Sequence, residues 1–189
     1  MLDLSSNVPD LDASHGDFMD DGYPAELSQA AFAAFDPDQY SAAELEAGRQ
    51  VWRGRALDEY RSQVGLTEFL AEMTELGLPF GALGAGARVV RDEVRHTELC
   101  RRMLGILGGG HVIPGEPNWV RSDQRLPLRM RVLRTIVGSL CVGETLSVRM
   151  LNAARQRSEN ELAHEAMTCL VSDESFHSRF GWSLLEMLL

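Results

Sequence analysis

Lysine is absent from the chain: all 18 basic residues are arginine. That excludes a Schiff-base lysine and a phosphate-loop lysine as sources of chemistry. Arginine is itself missing from residues 1–48, which hold eleven Asp and Glu, whereas the rest of the chain holds 17 acids and 18 bases. No apolar run approaches the ~18 residues of a membrane span. The start of the chain lacks the positive residues and apolar stretch of a secretion signal. Cysteine is scarce, and Cys100, Cys141 and Cys169 are spaced too widely for a disulfide framework or a CxxC metal knuckle. These absences together lead us to expect a cytoplasmic protein. The net charge of −10 argues against nucleic acid as a partner, because phosphate backbones are held through Lys and Arg. A hydrophobic content of 44% over 189 residues excludes wholesale disorder and suits a single domain.

Strand signals are also nearly absent, and helical periodicity dominates from residue 41 onward. Residues 1–40 read as an acidic leader, with one short helix expected at Ala25 to Phe35, and residues 41–189 as the domain proper. Ser41 caps a first long helix, Ala42 to about Leu76, which Gly77-Leu78-Pro79 ends. A second runs from about Phe80 to Leu107 and stops at three glycines. Residues 108–126 carry Gly, Pro and Asn punctuation and read as a long connection. A third helix is predicted from Pro127 to Arg157 and a fourth from Asn160 to the end of the sequence. The expected fold is all-α: a four-helix bundle of two antiparallel helical hairpins joined by one long crossover.

Two segments carry the chemistry. Glu93-Val94-Arg95-His96 and Glu174-Ser175-Phe176-His177 both read Glu-x-x-His within predicted helices. The i, i+3 spacing places a carboxylate and an imidazole on one helix face, where both can ligate one metal. Reflecting the chain about the turn near residue 76 brings Glu59 level with Glu93, and reflecting about residue 159 brings Glu144 level with Glu174. Six ligands, Glu59, Glu93, His96, Glu144, Glu174 and His177, should therefore converge midway along the bundle. Carboxylate oxygens and imidazole nitrogens suit a pair of iron or manganese ions. Glu144 lies in a nearly uncharged stretch, where an unpaired carboxylate would be costly without a cation. A third Glu-x-x-His, Glu161 with His164, reflects to the end of the bundle within a polar run and reads as a solvated helix start.

The segment Asp92-Glu93-Val94-Arg95-His96 matches the DExRH signature of bacterial diiron monooxygenases. Asp173-Glu174-Ser175-Phe176-His177 matches it too, except that Phe176 replaces Arg. The chain resembles the ferritin-like diiron-carboxylate superfamily over about residues 50–189. Within that superfamily, EYRSQVGLTEFLAEMTELGLP followed by DEVRHTELC is similar to a group of short bacterial ferritin-like proteins. The resemblance implies the same six ligands. It also implies an outer layer of Asp92, Asp173 and Arg95, with each Asp accepting from the metal-bound His of the opposite motif. Ferritins usually lack the second of these histidines, so His177 weighs against iron storage. No rubredoxin-like cysteine pattern is present, and the longer hydrocarbon monooxygenases and desaturases exceed this chain in length.

The expected function is that of a non-haem diiron oxidoreductase. Two Fe ions, or a Mn/Fe pair, would activate dioxygen to hydroxylate, desaturate or N-oxygenate a small-molecule substrate, drawing on an external electron donor. The alternative is a ferroxidase or iron-binding protein without an organic substrate. A monomer or homodimer fits the enzyme, and a many-subunit cage would fit storage. Among the other residues, Tyr60 lies beside Glu59 but about 100° round the helix, and Gln63 reads as packed polar. Cys100, Cys141, Trp52, Trp119 and Trp182 read as packing residues, and His111 as exposed. His15 lies in the leader, which either closes the pocket as a lid or is a solvating tail. Gly81, Gly84 and Gly86 read as sites of close helix approach rather than a nucleotide loop.

Overall fold

In a computed structural model of the chain, residues 23–110 and 121–189 are described. His15, His111 and Trp119 lie outside the described residues. The described residues are helical, without strands. Helix α1 is Gln29–Ala33 and α2 is Ala42–Glu75. Helix α3 is Phe80–Ile106, α4 is Leu128–Thr135, α5 is Glu144–Arg155 and α6 is Glu161–Leu188. A π-helical segment, Ile136–Gly143, joins α4 to α5.

The helix ends follow local chemistry. Ser41 accepts from the Glu44 backbone N–H at 3.3 Å, and the Glu44 carboxylate accepts from the Ser41 backbone N–H at 2.8 Å. That reciprocal pair starts α2 by satisfying two otherwise orphaned donors. At the other end Gly77 adopts φ 73°, and the Leu78 N–H reaches back to the Met73 carbonyl at 3.1 Å. Helix α3 ends the same way, with Gly108 at φ 74° and the Gly109 N–H on the Leu104 carbonyl at 2.9 Å. Both ends use a left-handed residue that glycine adopts without steric cost.

Helices α2 and α3 pack along each other as one hairpin, and α6 packs along α5 and the π segment as a second. The hairpins meet where α3 touches α6 and where α2 touches α4. Two apolar clusters fill the interior. One holds Trp52, Leu99, Met103, Leu151 and Leu170; the other holds Leu66, Phe69, Val89, Ile136, Leu140 and Leu184. No described helix is long and apolar enough to cross a membrane.

Three expectations change. The third long helix is not one α-helix, because residues 136–143 widen into π geometry. The short N-terminal helix is broken in two: Ala25–Leu27 forms a 3-10 turn, and Ser28, extended at φ −68° and ψ 160°, caps α1. Residues 23–40 are not a free tail. Leu27 and Phe32 are buried in the first apolar cluster, and Tyr40 Oη accepts from Asn160 Nδ2 at 2.7 Å.

Of the three glycines read as sites of close helix approach, Gly86 is one and Gly81 and Gly84 are not. A Cβ on Gly81 or Gly84 would meet nothing within 4 Å, whereas one on Gly86 would lie 3.2 Å from Leu70 Cδ1. A closer contact is at Gly181 of α6, where a Cβ would sit 2.5 Å from Leu140 Cβ and 2.9 Å from the Leu140 carbonyl carbon. Backbone cannot yield as a flexible side chain can. Gly181→Ala is therefore expected to destabilise the fold by about 1–3 kcal/mol. Gly84→Ala, an open helix-interior position, should instead stabilise by about 0.5–1 kcal/mol. Denaturant melts of the two variants check the contrast, and equal effects would remove the close contact as a constraint.

Candidate metal centre

Four of the helices contribute to one buried cluster between the two apolar clusters. Helix α2 supplies Glu59, α3 supplies Glu93 and His96, α5 begins with Glu144, and α6 supplies Glu174 and His177. All six are buried. Ligand atoms of Glu59, Glu93, His96 and Glu174 lie within 4.8 Å of one another, and so do those of Glu93, Glu144, Glu174 and His177. The cluster therefore contains two groups that can each hold a metal ion, with Glu93 and Glu174 common to both. His164 is in neither group. It lies half-exposed in the first turn of α6, with Nδ1 3.2 Å from its neighbour Glu165, and Glu161 is exposed beside it.

The two imidazoles point the same way relative to the cluster. His96 Nε2 lies 3.2 Å from Asp173 Oδ2, and His177 Nε2 lies 3.4 Å from Asp92 Oδ2. Each motif's Asp thus holds the other motif's His, tying α3 to α6. The Nδ1 atoms face inward: His96 Nδ1 is 3.6 Å from Glu59, and His177 Nδ1 is 3.3 Å from Glu93 and 3.1 Å from Glu174. An imidazole whose Nε2–H is fixed on a carboxylate presents Nδ1 as its ligating nitrogen.

Arg95 is buried, with Nη1 4.0 Å from Asp92 and its guanidinium 4.2 Å from the centre of the Tyr23 ring. The Arg lost at Phe176 has a replacement that sequence reasoning missed. Arg88, one turn before Asp92, stacks its guanidinium 3.8 Å over the Phe176 ring. Its Nε donates to Asp92 at 3.2 Å, and its Nη2 lies 3.7 Å from Asp173. One arginine therefore reaches both aspartates. Arg55 was missed as well. From one turn before Glu59, its Nη2 donates to the Glu59 carboxylate and lies 3.6 Å from Glu174. The i, i+4 spacing of Arg55 with Glu59 and of Arg88 with Asp92 was a legible signal.

Of the remaining residues, Cys100, Cys141 and Trp52 are buried, whereas Trp182 is exposed. Tyr60 and Gln63 are partly buried and belong to neither ligand group.

Protons balance the charge of this cluster. Burial pushes the Glu93 carboxyl up to about 8, with Glu59 and Glu174 adding to it. Burial also raises Glu144 well above the carboxylate range, and the charge of Glu174 adds to the effect. Burial opposes charge on both histidines, but Asp173 and Glu59 hold His96 up at about 10, and Asp92 and Glu174 hold His177 up at about 12. Four carboxylates at such distances cannot all be ionised without compensating positive charge. Even so, both Glu93 oxygens and His96 Nδ1 have no hydrogen-bond partner. Buried polar atoms are rarely left so, and these are the groups that a cation would bind.

The chain matches no family model, no curated protein and no solved structure.

The pH dependence follows with a definite sign. Glu93 and Glu144 are raised above 4.5, and His96 and His177 above 6.5, so the folded chain keeps protons that the unfolded chain releases. Stability from such groups is complete below the unfolded values and is lost as pH rises through the folded ones. The melting temperature of chelator-treated protein should fall between about pH 6 and about pH 9, and saturating divalent metal should flatten that fall. Metal uptake should release about four protons per chain, counted with a weakly buffered indicator. A metal-free melting temperature that rises over this range would overturn the assignment.

Glu144 provides a separate test. Gln at this position keeps the shape and a donor toward Glu174 but removes the charge. Glu144→Gln should weaken metal binding by roughly tenfold or more and leave the metal-free melting temperature unchanged or higher. A variant that melts well below wild type yet binds metal normally would make Glu144 a structural residue only.

Proposed function

We propose that this chain is a ferritin-like diiron-carboxylate protein, a four-helix bundle that activates dioxygen to oxidise a small organic substrate. The observation that carries the reading is Glu93: fully buried, with neither oxygen hydrogen-bonded and only His177 Nδ1, at 3.3 Å, beside it, and common to two groups of metal-ligating atoms. A carboxylate in that position suits a bridge between two cations. Glu59 and His96 would complete one ion's protein ligands, and Glu144 and His177 the other's, with Glu174 shared. The mixed oxygen and nitrogen donors, without thiolate, favour iron or manganese over softer metals. When bound, two ferrous ions would supply the electrons that reduce dioxygen and the oxidising power applied to a substrate.

The chain's own groups do the rest. Asp92 and Asp173 hold the Nε2 protons of the two histidines and so aim Nδ1 at the centre. Arg88 reaches both aspartates and helps hold them in position. Arg55 brings a fixed positive charge to Glu59 and Glu174, which offsets part of the charge of the carboxylates before metal binds. The π segment is the feature that favours a substrate. Its small residues Gly138, Ser139 and Gly143, with Ser62 and Ser147, line a cavity of about 330 Å³ that opens onto Glu59, Glu144 and Glu174. π-Helical turns are frequent at functional sites, where they displace side chains from the regular ladder. The alternative of a ferroxidase draws on the carboxylates in the same opening, which would attract ferrous ion.

Anaerobic ferrous titration tests the reading. Two iron ions per chain are expected in wild type and in His164→Ala, with His96→Ala and His177→Ala each retaining about one or fewer. One ion per wild-type chain, or equal losses in all three variants, would overturn the centre. Oxygen consumption that continues with an organic substrate and a reductant supports the oxygenase. Consumption that stops once the iron is oxidised, whatever the substrate, supports the ferroxidase.

A further inference from the structure

A second cavity, about 480 Å³, lies beside the first and shares Asp58, Ser62, Ser139 and Glu144 with it. Sharing these residues, the two adjoin as one cleft whose inner part is lined by Glu59, Glu144 and Glu174 of the cluster. The volume falls in the range of small-molecule sites. One wall is a single helix face: Arg131, Thr135, Ser139 and Glu144 follow at intervals of four, four and five residues. The interval of five is what the π segment contributes. It keeps Glu144 in line with the cleft, where a regular α-helix would turn Gly143 there instead.

The opposite wall is held in place by Glu68 of α2. Its carboxylate accepts from the Ser122 backbone N–H at 3.1 Å and from Gln124 Nε2 at 3.0 Å. That anchors the segment leading into α4 against α2, so the cleft is a built feature of the fold.

The outer cavity, unlike the inner one, is lined by more arginine than acid. In a chain of net charge −10, Arg61, Arg121, Arg131 and Arg134 line this one cavity. Its acids are already engaged: Asp58 with Arg61 at 2.9 Å, Asp123 with Arg125 at 2.8 Å, and Glu144 in the buried cluster. Arg131 is engaged too, with Glu72 at 3.1 Å. Arg121 and Arg134 make no ion pair within 4 Å among the described residues, Arg134 acting on Asp123 only at longer range, and both are exposed to the cavity. Leu66 and Leu126 add apolar surface to the lining.

We propose that this cleft binds the substrate as an organic anion. Arg121 and Arg134 would hold its carboxylate or phosphate, and its uncharged part would extend past Leu66 toward Glu144. Planar guanidinium groups pair with either anion through two parallel hydrogen bonds. The role of the anion as substrate rests on the oxygenase reading above, but its binding does not.

The test is calorimetric titration of the full chain, metal-free and metal-loaded, with benzoate, hexanoate and phenyl phosphate, each set against benzamide or hexanamide. The anions should bind and their neutral amides should bind at least tenfold more weakly. Arg121→Gln/Arg134→Gln should weaken anion binding by roughly tenfold or more, the contribution of one charge-assisted hydrogen bond, with metal content unchanged. Preference for the carboxylates or for phenyl phosphate identifies the anion, and either supports the site. Amides binding as tightly as acids, no anion binding at millimolar concentration, or full affinity in the double variant would overturn it. Arginine-dependent anion binding in a chain that takes up no metal would keep the cleft and overturn the diiron reading. Two metals with no anion preference would do the reverse.

Discussion

Four glutamates and two histidines buried within one helical core impose the constraint on which the rest of this structure depends. Each charged group taken from water costs several kcal/mol unless something compensates it. Here the cluster is compensated partly by protons on Glu93, Glu144 and the two histidines and partly by the Arg55 guanidinium. The Glu93 oxygens, which accept no hydrogen bond, mark where that compensation is incomplete. A divalent cation is the group that would complete it, and its binding would then contribute to folding stability as well as to chemistry.

Orientation is handled one layer out. Asp92 and Asp173 cross between α3 and α6, each holding the histidine of the other helix. The crossing makes the two Glu-x-x-His motifs depend on each other, so neither helix can rotate without moving both imidazoles. Phe176 shows how a lost charge is replaced without copying it. The ring supplies a face on which Arg88 stacks, and Arg88 then reaches both aspartates from the α3 side. Arg88 thus stands in for the second motif's arginine, beside Arg95 of the first.

The π segment and Gly181 are linked. The wider helix brings Leu140 and Cys141 against α6 at a point where only a residue without a side chain fits. The same widening leaves Gly138, Ser139 and Gly143 around an opening rather than a filled core. Close packing on one side of the segment and an open cleft on the other are thus two consequences of one local irregularity. Thr145 reinforces it, donating to the Cys141 carbonyl at 2.5 Å and meeting Ser178 at 2.8 Å.

Much of this was legible in the sequence, because it is local. The Ser41–Glu44 capping pair, the stops at Gly77 and Gly108, and the helix-face spacing of Glu93 with His96 and of Glu174 with His177 depend on residues a few positions apart. The levels of Glu59 and Glu144 followed from turn positions and a constant rise per residue. The tertiary structure alone decided the rest. Residues 23–40 dock because Leu27 and Phe32 find an apolar cluster built from α2, α3, α5 and α6. Arg88 replaces the second motif's arginine because α3 and α6 present it to Phe176 across an interface. Ser139 and Glu144 share a cleft because a π turn shifts the register by one residue. Spacing along a helix states which side chains share a face; the rotation and crossing of helices, set by packing, state which faces meet.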